Sequence, residues 1–149
     1  MHKGLYILAL LISIISNTAT SQNSNTDAPM KKLSVEDKRK FDYFFYEAMN
    51  AKTANKHDAV FDYLRYCLAI DTTNANVYFE LGNYYNLLDN KSKALDYYRK
   101  ANAYNSENFF YNMAYAGLCL EMKQYSDAIE QFEKLSSANP DNTELYIYL

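Results

Sequence analysis

Few residues in this chain could do covalent or metal chemistry. The thiols are Cys67 and Cys119, and the imidazoles are His2 and His57. A metal site needs several donors converging on one point, and His57 has only Asp58 beside it. Nucleophilic catalysis needs an activated hydroxyl or thiol, a base and a group that orients the base. No motif such as G-x-S-x-G is present. Cys67 and Cys119 stand at apolar positions of helical patterns with a whole helical pair between them. In stacked hairpins that separation argues against a disulfide, and both read as small buried hydrophobes. The expectation is no catalytic residue, no metal, no cofactor and no enzyme.

What remains is the chemistry of recognition. The chain carries 16 Tyr and 8 Phe in 149 residues, with no Trp. Most of these rings recur at helical spacing and belong to a core. A smaller set falls on its own face: Asn76, Phe79, Asn83 and Asn86 follow one another at steps of three and four. Phe supplies apolar contact, and Asn both donates and accepts hydrogen bonds.

The elements that hold this face are helices. Glycine and proline are scarce, at three and two, whereas sheets need frequent turn residues. The length suffices for one domain with a core. The net charge of −3 offers no basic surface to nucleic acid. Short mixed charge runs, such as Glu36 to Lys40 and Glu130 to Lys134, read as solvated helix surface.

The amino terminus is a separate matter. His2 and Lys3 precede an apolar run from Leu5 to Ile15, shorter than the roughly 20 residues of a membrane span. Small polar residues follow, from Ser16 to Ser21. This is the layout of a cleaved signal peptide over 1–21, and no cysteine near the cut would carry a lipid. The mature chain loses Lys3, moving from −3 to −4. It is expected to be periplasmic or secreted, with no stable membrane span after cleavage. Residues 22–33 read as a disordered lead-in. Ser34-Val-Glu-Asp37 then gives a capping-box pattern that opens the first helix.

A period of 34 organises the rest: Asn74, Asn108 and Asn142 coincide, as do Ala94 with Ala128 and Tyr98 with Phe132. The three asparagines are expected to cap three helices. Within one period, Val77 to Leu88 and Ala94 to Tyr104 form two apolar faces joined by Asp89-Asn90, so the two helices lie antiparallel. The repeats run about 41–74, 75–108 and 109–142, with a partial fourth over 143–149 inside a domain of 34–149. Gly82 interrupts a helix at a cost of about 1 kcal/mol. Its sister positions are Ala48 and Ala116, so a small side chain for close helix packing is the reading. Gly82→Ala is expected to be nearly harmless and Gly82→Leu to overpack.

Tyr78-x-x-Leu81-Gly82-x-x-Tyr85 followed by Ala94-x-x-x-Tyr98-x-x-Ala101 resembles the tetratricopeptide repeat (TPR), with Ala128, Phe132 and Pro140 matching in the next copy. Tyr78 stands where that pattern prefers Trp, Ser106 where it prefers Pro, and Asn112 again replaces the Trp. The resemblance implies an all-α, antiparallel helix-hairpin solenoid whose first helices line a concave, peptide-holding groove. By that resemblance the groove residues are Phe45, Met49, Phe79, Asn83, Asn86, Phe110 and Met113, with Lys52, Gly117 and Leu120 at sister positions. TPR domains that clamp the carboxylate tails of chaperones line this groove with basic residues. Here Phe45, Phe79 and Met113 take those places, which disfavours that subclass. The expected role is a non-catalytic scaffold of the cell envelope that binds a protein or peptide. Two alternatives stand beside it: the docking arm of a longer enzyme, and a factor that self-associates through its C-terminal repeat face, where Tyr146, Ile147 and Leu149 are apolar.

Overall fold

The computed structural model describes residues 32–149. The signal segment over 1–21 and the lead-in up to residue 31 lie outside the described residues. Six α-helices follow: α1 (Val35–Thr53), α2 (His57–Ile70), α3 (Ala75–Leu87), α4 (Lys91–Tyr104), α5 (Phe109–Glu121) and α6 (Tyr125–Ala138). A 3-10 turn over Thr143–Tyr148 closes the described part. His57 is the first residue of α2.

Helix starts follow side-chain chemistry. Ser34 Oγ accepts from the Asp37 amide at 3.0 Å, and Asn74 Oδ1 from Val77 at 3.2 Å. Asn108 Oδ1 takes both the Phe110 and Tyr111 amides, at 3.0 and 3.2 Å. Each cap satisfies donors that the first turn leaves free. The third asparagine departs from expectation. Asn142 makes no side-chain cap, and the segment after it is 3-10 instead of α-helical. A short piece fixes too few hydrogen bonds to offset α-helix nucleation, and 3-10 geometry suits it.

Helix ends repeat as well. Asn55, Asp89 and Lys123, each one period apart, have φ of 55°, 56° and 62°. The next residue then donates back across the turn: Lys56 to Ala51, Asn90 to Tyr85 and Gln124 to Cys119, at 2.8–2.9 Å. This is the left-handed helix stop that glycine or Asn usually supplies. Lys123 holds it without either advantage. Lys123→Gly should therefore raise stability by about 1 kcal/mol, measured as a higher urea midpoint.

The helices pack as hairpins α1–α2, α3–α4 and α5–α6, with α2–α3 and α4–α5 joining one hairpin to the next. The core is divided accordingly. One cluster gathers Ala48, Ala51, Val60, Leu64 and Cys67 with Val77 and Leu81 of the following helix. Another gathers Ala94, Leu95 and Tyr98 with Ala116, Cys119, Ala128, Phe132 and Leu145. Each cluster crosses into the next hairpin, which is how a solenoid derives stability from neighbours. Tyr78, Leu81, Gly82, Ala94, Tyr98, Ala101, Ala128 and Phe132 are buried, Tyr85 is half-buried, and Pro140 is exposed in a turn.

Two particulars refine this picture. The outward face of α1 carries Tyr43, Glu47 and Asn50 where α3 buries Val77 and Leu81 and half-buries Tyr84. That side of α1 is thus more polar than its counterpart on α3. At Gly82, a Cβ would lie 2.5 Å from Tyr98 Cε1 and closer still to Cδ1. This corrects the expectation that alanine is harmless there: the ring of Tyr98 lies where the methyl would go, whereas the sister positions pair Ala48 with Leu64 and Ala116 with Phe132.

Candidate functional site

The seven groove candidates stand on the first helices of the hairpins: Phe45 and Met49 on α1, Phe79, Asn83 and Asn86 on α3, Phe110 and Met113 on α5. Their spacing of three and four keeps each set on one side of its helix. The structure divides them into residues held by internal contacts and residues left open.

Phe45 stacks on Phe41, with ring centroids 6.0 Å apart. Met49 is half-buried against the first core cluster and Met113 against the cluster around Phe132. Phe79 lies between Tyr111, 4.8 Å away, and Tyr98, 5.7 Å away. Asn83 Oδ1 accepts from the Tyr98 hydroxyl at 2.8 Å. Burial pushes the Tyr98 phenol up to about 12, so it remains a donor at physiological pH. Phe79 and Asn83 therefore help seat Tyr98 and Tyr111. The double change Phe79→Ala with Asn83→Ala therefore removes packing and a hydrogen bond together.

Asn86 is exposed, and Phe110 keeps 70% of its surface, with its ring edge-on to that of Phe109. Leu120 is 39% exposed. Gly117 lies between Met113 and Leu120 on the same side of α5, and a Cβ there would meet nothing within 4 Å. The two helical glycines of the described residues thus have opposite environments: Gly82 is filled by a ring, Gly117 faces open space.

Charge along this side is paired. Lys52 Nζ of α1 meets Glu80 of α3 at 2.6 Å, and the Glu80 side chain is only 14% exposed. Lys91 of α4 pairs with Glu121 of α5. Both pairs tie one hairpin to the next.

Among the described residues, both thiols lie in the core and His57 lies at the surface. Cys67 and Cys119 are buried and free. Burial pushes the Cys67 thiol up to about 12 and raises that of Cys119, the opposite of an activated nucleophile. His57 is exposed, with its ring 6.4 Å from that of Tyr84. Among the described residues no three His, Cys, Asp or Glu side chains could hold a metal, and no helix is long and apolar enough to cross a membrane. Open depressions of about 690 Å³ beside Ala138 to Glu144 and about 270 Å³ around Glu36, Arg39 and Tyr43 hold none of the groove candidates.

A set of residues that the sequence pattern did not single out lies between the second and third hairpins. The Asn102 Nδ2 donates to Asn112 Oδ1 at 2.6 Å and to Gln131 Oε1 at 2.9 Å. Asn112 Nδ2 donates to the Ser106 carbonyl at 2.7 Å. The signal was present in the period: Asn112 falls where Tyr78 stands, and Tyr78 likewise donates through its hydroxyl to the Thr72 carbonyl, at 2.9 Å.

This geometry is the tetratricopeptide-repeat fold. The structure superimposes on MamA with a TM-score of 0.63 and 22% identity, over 72% of this chain and 63% of that one. It matches the TPR domain of Arabidopsis OM64 with a TM-score of 0.63 and 12% identity, over 75% of this chain and 93% of that one. It also matches YrrB, described as a TPR protein with an unusual peptide-binding site, with a TM-score of 0.62 and 19% identity, over 70% of this chain and 54% of that one. The match thus spans less than two thirds of MamA and about half of YrrB. No family model matches the sequence, and no curated protein matches it.

Proposed function

We propose that this chain is a non-catalytic binding scaffold that holds a segment of another protein against the first-helix side of its stacked hairpins. The observation that carries the proposal is the open stretch of α5. Phe110, Met113 and Leu120 share the side of α5 that carries Gly117, a helical glycine whose Cβ space nothing fills, and Asn86 of α3 is exposed as well. A mid-helix glycine costs about 1 kcal/mol and, unlike Gly82, Gly117 gains no internal contact in return. Close approach of a partner's chain to the α5 backbone accounts for it. The peptide-binding site of YrrB supports the same use of the fold. Export to the cell envelope rests on the amino-terminal pattern of charge, apolar run and small residues.

Gly117 separates binding from stability. Gly117→Ala should stabilise the fold by about 1 kcal/mol, because alanine is the better helix former and meets no neighbour. Gly117→Gln combined with Phe110→Ala should leave the melting temperature at least as high as that of the native chain. It should weaken capture of the partner about tenfold or more in a crosslinking pulldown from the envelope fraction. Unchanged capture by that variant, with the fold intact, would remove this side of the molecule from the binding role.

A further inference from the structure

The two joints between hairpins use different chemistry at equivalent positions. Where α3 stacks on α2, Leu68 packs against the cluster that contains Tyr78. One period later, where α5 stacks on α4, the same places hold Asn102 and Asn112. Gln131 of α6 completes the group, in the place that Tyr97 takes on α4. Asn112 and Gln131 are 5% and 6% exposed. Asn102 donates to both, and Asn112 donates onward to Ser106 in the connection between α4 and α5. Three helices and a loop meet in one closed amide cluster.

We infer that this cluster is a register lock, which seats the third hairpin on the second and rejects the first. Apolar periodicity gives α2 and α4 similar shapes, so shape alone distinguishes them poorly as a seat for α5. Amide chemistry does distinguish them. Set on α2, Asn112 would face Leu68: its Nδ2 keeps the Ser106 carbonyl, but its buried Oδ1 loses the Asn102 donor. Set on α4, α3 would bring Tyr78 against the half-buried Asn102 and take away its Asn112 acceptor. A stranded buried amide costs more than its hydrogen bond contributes when made. Each wrong joint therefore takes a hydrogen-bond partner from one of these amides, and the native joints take none from this cluster. Skipped or exchanged repeats are the characteristic misassembly of such chains, within one molecule or between two. A buried polar contact that fixes partner and register is a well-attested use of such groups, separate from any net gain in stability.

The test transplants the apolar joint. In the full chain, Asn102→Leu, Asn112→Tyr and Gln131→Tyr together copy Leu68, Tyr78 and Tyr97. Equilibrium urea unfolding should show stability equal to or above that of the native chain. Refolding at rising protein concentration should give a slow phase and several-fold more hairpin-exchanged dimer, measured by light scattering after size separation. Leu68→Asn is the reciprocal variant in an otherwise native chain: it offers Asn112 a false seat on α2 and should also increase dimer and slow refolding. It decides the matter if the triple variant does not fold. Refolding of the folded variants with native kinetics and native dimer fraction would overturn the lock.

Discussion

Gly82→Ala should destabilise the protein by about 1–3 kcal/mol, although sister repeats carry alanine at the equivalent position. The new methyl would enter the ring of Tyr98, at 2.5 Å from Cε1 and nearer to Cδ1. The ring has little freedom to swing away. It is 4% exposed, its hydroxyl is held by Asn83, and Phe79 lies against it. Ala48 and Ala116 coexist with Leu64 and Phe132, which have no hydroxyl to anchor. The measurement is a urea titration, in which the midpoint falls and the slope stays constant. A second change supplies the control. Gly82→Ala with Tyr98→Leu copies the Ala48–Leu64 pair of the first hairpin and should recover most of the loss. If Tyr98→Leu recovers nothing, the ring is not what forbids the methyl. The helix cost of about 1 kcal/mol at Gly82 is thus offset by seating a large aromatic side chain directly on the helix backbone.

A larger effect is expected at Phe132. This side chain is 1% exposed and stacks on Tyr148 at 4.5 Å, with the rings 7° from parallel. It sits in the cluster shared by α4, α5, α6 and the closing turn. Phe132→Ala should cost about 3–5 kcal/mol, the sum of lost burial and an incompletely collapsed cavity. Where the loss falls matters as much as its size. Because stability passes between neighbours, α5, α6 and Thr143–Tyr148 should lose hydrogen-exchange protection first, with α1 and α2 keeping theirs. Equal loss along all six helices would mean that the hairpins act as one cooperative unit, and the nearest-neighbour description would have to go.

The helical reading was legible because it depends on local rules. A period of 34 with two apolar faces, asparagine before a helix and a turn at Asp89-Asn90 are consequences of backbone geometry and capping, and each is written within a few residues. The candidate site was legible only in outline. The spacing of Asn76, Phe79, Asn83 and Asn86 defines a helix face. It does not say that Asn83 is held by Tyr98, fifteen residues away, or that Phe79 is wedged between Tyr98 and Tyr111. Those contacts couple different helices, and a periodic pattern carries no information on which rings meet. Asn112 shows the same limit. In the sequence it is only a departure from the repeat pattern, yet with Asn102 and Gln131 it completes a hydrogen-bonded group.

By itself, the order of residues determined that this protein is built of helical hairpins and where most of them begin and end. Tertiary structure alone decided what two identical residue types are for. Gly82 receives a ring and Gly117 faces open space, because the neighbour that fills a glycine comes from another helix. Helix geometry is set by residues three and four apart, whereas the use of a surface is set by whatever packing brings against it or leaves uncovered.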